Sequence, residues 1–213
     1  MTEEPTKGKT SAQAANTGIH LSSPEGNTNN NPDAVQEQVS VPWYALRLFT
    51  NRQEEVATAL KGKGLEIFVP MEYADIEDRN HHRKHVLRPV VRNLLFIKKT
   101  KEEKDIRSLL SDIPYKMSVI RKDATSMEYY EIPGRQMLEF QTMCNPDLLM
   151  KKYLSEEQAK LKVGTPVLVT HGPLKGLKGK LVRSNKKYYL LKEVPGMGVM
   201  LQVTRWCCKA LEL

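Results

Sequence analysis

The sequence predicts an α+β protein in which an N-terminal α/β sandwich with an antiparallel sheet precedes a small C-terminal β-barrel. The first observation behind this prediction is that apolar strands alternate with amphipathic helices from residue 41 to residue 144. The second is that helix signals disappear beyond residue 162, where short strands follow one another between glycine and proline turns. Residues 145–161 are polar, with one helical turn, and are predicted to link the two domains.

Residues 1–40 differ in composition from the rest of the chain. They contain no Phe, Trp or Tyr and are rich in Ser, Thr, Asn, Gln, Gly and Pro. Such a segment buries too little apolar surface to offset the entropy of ordering, so we predict a disordered tail. The tail holds two lysines against five acids, a net charge of −3, so the remainder carries +11 and the whole chain +8. A basic folded region is typical of a protein that works beside a polyanion.

The cysteines and the lack of catalytic motifs limit the classes of function. Cys144 and the adjacent Cys207 and Cys208 form no CxxC pair, which favours a reducing compartment. No apolar run approaches the roughly 20 residues that span a bilayer, so we expect a cytoplasmic monomer without membrane contact. The sequence has no GxSxG, P-loop or dinucleotide-binding glycine motif. We therefore predict that the protein is not an enzyme and needs no cofactor.

The first strand is the clearest element of the N-terminal half. Its apolar, aromatic-rich run covers residues 43–49 with Arg47 as its interruption. Thr50 and Gln53 have the spacing of a capping box, which predicts a helix that ends at Gly62 and Gly64. Alternating apolar residues predict a second strand over residues 65–71 and a third over residues 90–98. A polar arm lies between them.

The rest of the sandwich follows from one-sided helices and short strands. A helix is predicted over residues 102–111, because Ile106, Leu109 and Leu110 share one face and Pro114 prevents its continuation. Residues 115–121 and 129–132 are predicted to be short strands, and a third helix begins near Gly134. The order β-α-β-β-α-β-β-α indicates a single sandwich. Further strands are predicted over residues 166–171, 180–183, 188–191 and 199–203, with one more at the C-terminus.

Two motifs resemble those of a known family. Trp43 and Tyr44 open a strand that is followed by a Glu-rich helix, the segment 68–70, a basic arm and a third strand, and this order resembles the NGN domain of NusG-type transcription factors. Residues 167–183 resemble a KOW motif, with Gly179 as its central glycine. The resemblance covers nearly all of residues 42–213 and implies a transcription elongation or antitermination factor with an SH3-like KOW barrel. The KOW-motif residues are Gly172, Pro173, Lys175, Gly176 and Gly179.

The third strand resembles that of a specialised paralogue of the RfaH or UpxY kind, because the Pro-Gly-Tyr turn of housekeeping members is missing from residues 88–98. The resemblance implies an apolar face that docks on the clamp helices of RNA polymerase, and a second contact across the cleft that suppresses pausing or termination. Alternate residues of any strand also face the core, so about half of the apolar positions are expected to be core residues. The residues assigned to polymerase binding are Tyr44, Leu46, Val91, Leu94, Phe96, Lys104, Asp105, Arg107 and Ser108.

The polar arm is strongly cationic. Residues 79–92 hold five Lys or Arg and three histidines without an acid. Two interpretations stay open: a solvated charged hairpin, or contact with DNA or RNA phosphates near the transcription bubble. His81, His82 and His85 form a poor ligand set on so cationic a segment, so we predict no metal site. The residues assigned to nucleic-acid contact are Arg52, Arg79, Arg83, Lys84 and Arg88.

The predicted barrel is also basic. Residues 158–192 carry nine Lys or Arg and no acid, with Tyr188 and Tyr189 among them. Cations beside aromatic rings suit single-stranded nucleic acid, whereas barrels of this family often bind a ribosomal protein or a termination factor, and both partners stay open. Strand signals with Gly and Pro turns argue against a stable helical alternative. The rival function is a KOW-containing RNA-binding or ribosome-associated protein.

Overall fold

The computed structural model describes residues 40–77, 81–123 and 125–211, so the predicted disordered tail lies outside the described residues apart from Ser40. The N-terminal elements are β1 (Trp43–Leu48), α1 (Gln53–Gly62), β2 (Ile67–Phe68), β3 (Met71–Glu77), β4 (Arg83–Pro89), β5 (Leu94–Lys98), α2 (Glu103–Ser111), β6 (Met117–Val119) and α3 (Gly134–Met143). The C-terminal elements are β7 (Lys151–Ser155), α4 (Glu156–Lys160), β8 (Thr165–Val169), β9 (Lys178–Ser184), β10 (Lys187–Val194), β11 (Met197–Val203), a 3-10 turn (Arg205–Cys207) and β12 (Cys208–Ala210).

The N-terminal domain is built on a four-stranded antiparallel sheet with the order β2-β5-β1-β6. Successive residues of β1 point to opposite faces of the sheet. On one face Tyr44 and Leu46 pack against Val56 of α1 and Ile106 of α2. The predicted fold class is confirmed for this half of the chain.

The other face of the sheet is covered by α3 and by the C-terminal domain. Ala45 and Phe96 lie on this face in one apolar core with Phe140 of α3 and with Leu190 and Val199 of the barrel strands. The sheet is therefore buried on both sides. Burial on both sides explains why β1 and β5 are continuously apolar rather than alternating.

The start of α1 differs from its prediction. The residue that caps this helix is Arg52, and no side chain accepts a capping hydrogen bond from its first turn. Thr50 Oγ1 instead accepts a bond from the Arg52 amide at 3.2 Å. Gln53 turns inward, because its amide group finds buried carbonyls to bind. The capping-box prediction was wrong, although the helix itself was predicted correctly.

The polar arm is a two-stranded antiparallel hairpin. β3 and β4 pair over seven positions, from Met71 opposite Pro89 to Glu77 opposite Arg83. The predicted strand over residues 65–71 is therefore divided between β2 and β3, and the predicted strand over residues 90–98 begins only at Leu94. Exposed polar side chains interrupt the apolar alternation of both hairpin strands, so the periodicity of the sequence does not reveal these strands.

The C-terminal region is all β apart from α4, and its six-stranded sheet has the order β12-β8-β9-β10-β11-β7. This arrangement is compatible with the predicted SH3-like barrel. The structure differs from the predicted linker, because β7 pairs with β11 over five residues and completes the sheet. Ser155 then caps α4 with a full capping box that includes Gln158. Ala159 of this short helix packs on the sheet beside Gly198.

Close backbone packing accounts for the central glycine of the motif over residues 167–183. Gly179 lies in β9, and a Cβ atom there would stand 2.7 Å from the backbone oxygen of Leu191. Gly176 has a different requirement, because its φ of +92° is a conformation that other residues rarely adopt. Its amide donates to Val169 O at 2.8 Å and closes the loop between β8 and β9.

Candidate functional site

The apolar residues assigned to polymerase binding are divided between the two faces of the N-terminal sheet. Tyr44 and Leu46 are fully buried beneath α1 and α2. Leu94 and Phe96 lie on the opposite face and are also buried, whereas Val91, just before β5, is half-buried. The sequence predicted one exposed apolar face, and the structure shows that the second face is covered as well.

Leu94 lies directly under the turn between β10 and β11. A Cβ atom at Gly196 would stand 2.8 Å from Leu94 Cδ1 and 3.4 Å from Ile120 Cδ1, so the turn touches both side chains. Phe96 is covered differently, because its ring packs edge-on against Phe140 of α3 with centroids 5.6 Å apart. The C-terminal domain thus covers Leu94, while a helix of the N-terminal domain covers Phe96.

Polar contacts flank this apolar contact between the two domains. Gln136 Nε2 donates to the Glu193 backbone oxygen at 2.8 Å. Lys192 Nζ forms an ion pair with Glu139 in which the side chains are only 14% and 8% exposed. Arg135 approaches the same carboxylate at 3.6 Å. A buried pair of this kind costs several kcal/mol to break by removing one partner, since a buried charge is then left alone.

A second contact joins β7 to the base of the hairpin. The Tyr153 hydroxyl lies 3.4 Å from both the Met71 and the Cys144 backbone oxygens. Burial raises the pKa of Tyr153, so the hydroxyl keeps its proton and remains a donor. Burial also raises the pKa of the Cys144 thiol to about 12, which makes it unreactive.

The hydroxyl group of the buried Tyr44 contacts two charged side chains. The hydroxyl donates to Glu131 Oε1 at 3.3 Å, and Lys99 Nζ donates to the same oxygen at 2.5 Å. The Lys99 ammonium lowers the pKa of Glu131, while burial raises the pKa of Tyr44. Glu131, Lys99 and the Tyr44 hydroxyl thus form a hydrogen-bonded cluster at the edge of the helix-covered face, and this cluster holds Tyr44 in the core.

The second set of residues assigned to polymerase binding is exposed. Lys104, Asp105, Arg107 and Ser108 all lie on the solvent side of α2. Arg107 is held in place, because its guanidinium bonds to Glu103 Oε1 at 2.5 Å and lies 4.7 Å from the ring centre of Tyr129. The hydrogen bond to Glu103 raises the pKa of Arg107. The exposed face of α2 is therefore available to a partner.

The hairpin is less cationic than residues 79–92 alone suggested, because β3 supplies carboxylates opposite the cations. Arg88 pairs with Glu72 at 3.1 Å, and His85 Nδ1 lies 2.7 Å from Asp75 Oδ1. Arg83 and Lys84 are exposed on β4, and Arg52 is exposed beside Glu55 at 3.5 Å. Arg79 lies outside the described residues.

The histidines of the arm have partners other than a metal. His81 pairs with Glu77, and the His85 ring stacks on Tyr73 with centroids 4.9 Å apart. Within residues 40–77, 81–123 and 125–211, no three His, Cys, Asp or Glu side chains are grouped to hold a metal ion.

The residues predicted to form a KOW motif lie in the loop between β8 and β9 and in the start of β9. Gly172, Pro173, Lys175 and Gly176 are exposed, and Gly179 is packed in β9. A neighbouring feature that the sequence did not predict is the exposed Trp206, which follows β11 in the 3-10 turn. Its signal was an aromatic residue beside Arg205 in a polar stretch. In the part of the chain that the structure describes, no helix has the length and apolar character needed to cross a membrane.

Comparison with known families identifies the N-terminal domain. Residues 41–141 match the family model described as the transcription termination factor NusG. The match begins just before β1 and ends inside α3, so it includes both faces of the N-terminal sheet. No curated protein matches the chain. Factors of the matched family are non-enzymatic regulators of transcription that bind RNA polymerase.

Proposed function

We propose that the chain, whose residues 41–141 match the NusG family, binds the clamp helices of RNA polymerase through its N-terminal domain and suppresses pausing or termination. The observation that carries this proposal is the match of residues 41–141 to the NusG family. The protein acts in the cytoplasm, without a cofactor and without catalysis of its own. It belongs with the specialised paralogues of the family.

The docking surface lies where β5 begins, around Val91 and Leu94. Val91 is half-buried, so its side chain is partly available in the structure as it stands. Leu94 becomes available when the turn at Gly196 leaves it. Docking of the clamp helices on Leu94 therefore requires the C-terminal domain to move away. Phe96 supports this surface from below, since Phe140 still covers it.

The second contact is made by α2. Its exposed residues Lys104, Asp105, Arg107 and Ser108 reach the side of the cleft opposite the clamp helices. A factor bound at both sides favours a closed clamp, and only its preference for that state over the open one can lower the population of paused complexes. The basic hairpin adds salt-sensitive contacts to DNA phosphates. The C-terminal domain, as a KOW-type barrel, is then free to recruit a ribosomal protein or a termination factor.

The proposal is tested by measuring the affinity of the purified chain for core RNA polymerase. Val91→Asp places a carboxylate in the apolar contact and should weaken binding at least tenfold, because an unpaired charge is costly to desolvate. Met127→Asp is the matched control, because Met127 is 66% exposed and lies outside the proposed surface. Equal affinity of both variants would contradict the docking surface. Failure of the parent chain to bind polymerase would contradict the function.

A ribosome-associated RNA-binding protein is the rival function. Affinity capture from cells separates the two, because recovery of polymerase subunits supports the proposal and recovery of ribosomal RNA without polymerase supports the rival.

A further inference from the structure

The C-terminal domain contains an open cleft that the KOW motif does not explain. Its volume is about 790 Å³, within the range of ligand-binding clefts, and all of its lining residues lie within residues 165–210. Val167, Leu181 and Val203 form an apolar floor. Side chains of Thr165, Gln202 and Thr204 add hydroxyl and amide groups to the wall. The cleft therefore combines an apolar floor with neutral hydrogen-bonding groups.

The rim of the cleft is aromatic and cationic. Trp206 is 74% exposed, although burial of so large an apolar side chain would be favourable. Tyr188 lies between two guanidinium groups, with Arg183 at 5.8 Å and Arg205 at 5.9 Å from its ring centre. The His171 ring contacts Trp206 with centroids 5.8 Å apart. Because most of its surface is exposed, the Trp206 ring offers a face on which another planar group can stack.

The charge around the cleft has one sign. Residues 162–211 hold ten Lys or Arg and a single acid, Glu193, which pairs with Lys180 at 2.6 Å. Among the described residues Arg183, Lys187 and Arg205 form no ion pair, so their charges can meet an external anion. An anion that also carries flat rings would satisfy both the cations and the aromatic faces.

We infer that this cleft binds single-stranded RNA. A base stacks on Trp206 above the apolar floor, while the flanking phosphates contact Arg183, Lys187 and Arg205. The hydroxyl and amide groups of the wall lie where they can bond to base edges and to 2′-hydroxyls, which distinguish RNA from DNA. A duplex fits poorly, because its bases are already stacked on one another. An acidic peptide would satisfy the cations but would leave the aromatic faces unused.

The stacking contact is tested with the full chain and a fluorescein-labelled twelve-nucleotide oligouridine RNA, using fluorescence anisotropy. Trp206→Ala should lower the affinity about tenfold, since one base stacked on an aromatic ring contributes an effect of this order. Leu149→Ala is the matched control, because Leu149 is 82% exposed and does not line the cleft. Equal affinities for Trp206→Ala and Leu149→Ala would overturn the inference.

The phosphate contacts are tested by the salt dependence of the same affinity. Arg183→Gln with Arg205→Gln should reduce the slope of log affinity against log salt by about 1.4, because each single-strand phosphate contributes about 0.7. Trp206→Ala should leave the slope unchanged. Lys101→Gln with Arg121→Gln removes the same charge from exposed sites of the N-terminal domain and is the control. A slope that falls equally in both double variants would overturn the assignment of the phosphates to the cleft.

Competing ligands identify the occupant. Unlabelled RNA should displace the probe better than DNA of the matching sequence, better than an RNA duplex and better than polyglutamate. Displacement by DNA, duplex or polyglutamate as good as by single-stranded RNA would overturn the inference. The assay contains no polymerase, so its result and that of the polymerase-binding assay are independent.

Discussion

Gln53 is a polar side chain that the fold buries at the start of α1. Its Nε2 group donates to Val91 O at 3.0 Å and to Leu94 O at 2.6 Å. These two bonds tie the helix to the chain that leads into β5. Because Val91 and Leu94 carry the proposed docking surface, Gln53 is a positioning residue for that surface rather than part of a helix cap.

Gln53→Ala should lower the free energy of unfolding by about 1–3 kcal/mol, because it leaves two carbonyl oxygens without their donor. Chemical denaturation in urea measures the change. Glu54→Ala is the control, since Glu54 is exposed on the same turn and makes no such contact in the described structure. A loss no larger than that of Glu54→Ala would show that water replaces the amide at no cost.

Two glycines give a matched test of close packing. Gly179→Ala should destabilise the C-terminal domain by about 1–3 kcal/mol, because the added methyl group meets backbone that cannot shift easily. Gly62→Ala should be neutral or stabilising by up to about 1 kcal/mol, because nothing lies within 4 Å of its added Cβ and alanine favours the helix. Thermal unfolding of both variants measures the difference. Equal effects of the two substitutions would contradict the packing role of Gly179.

The hairpin of β3 and β4 is the element on which the nucleic-acid prediction rests. The charges of its two strands partly cancel, since Glu72 faces Arg88 and Asp75 faces His85. Arg83 is exposed near the tip, where no described carboxylate forms an ion pair with it. We therefore expect the phosphate contacts of the arm to concentrate towards its tip.

Arg83→Ala with Arg88→Ala should reduce the salt slope of duplex DNA binding by about 0.9 to 1.8, since each phosphate contact contributes about 0.9. The lower value applies if Glu72 keeps Arg88 occupied. Glu72→Gln should have the opposite effect, because it releases Arg88. The measurement is filter binding of a labelled duplex across salt concentrations. An unchanged slope in the double variant would show that the hairpin is a solvated surface element without phosphate contacts.

The exposed face of α2 allows a separate test of the second polymerase contact. Arg107→Glu should preserve binding to core polymerase and abolish suppression of pausing, because the charge reaching across the cleft is reversed. It also sets a carboxylate beside Glu103 and removes the contact with Tyr129. Glu103→Gln therefore serves as the control for local effects on the helix. In vitro transcription through a pause site measures the outcome, and simultaneous loss of binding would contradict a distinct second contact.

At the scale of the whole molecule, the proposal makes the C-terminal domain and the clamp helices of polymerase mutually exclusive partners of Leu94. The contact is held by the turn at Gly196, the bond between Gln136 and Glu193, and the ion pair between Lys192 and Glu139. The apolar core continues through this contact without a break. If the clamp helices dock on Leu94 as proposed, they compete with the chain's own C-terminal domain.

Lys192→Glu should separate the domains, because it sets two carboxylates against each other in a site that is nearly closed to water. We expect polymerase affinity to rise severalfold, since less free energy is then needed to expose Leu94. Lys192→Glu combined with Glu139→Lys restores opposite charges and should return the affinity towards that of the parent. Unchanged or weaker binding by a folded Lys192→Glu variant would show that the C-terminal domain does not compete.

Much of the fold follows from local chemistry that the sequence states directly. Apolar runs predicted β1 and β5, one-sided apolar spacing predicted α2, and turn residues predicted the all-β character of the C-terminal region. The family resemblance of the N-terminal half also rested on residues in the sequence, and the family match confirms it. These features depend on residues within a few positions of one another.

Tertiary structure alone decided what each side chain meets. Gln53 fits a capping box locally but finds deeper partners 38 and 41 residues away, and the hairpin is neutralised by a strand that periodicity did not reveal. The sequence showed that Leu94 and Phe96 are apolar. Which of them lies under α3 and which under the C-terminal domain depends on the packing of distant elements, because apolar burial is non-directional and does not specify its partner.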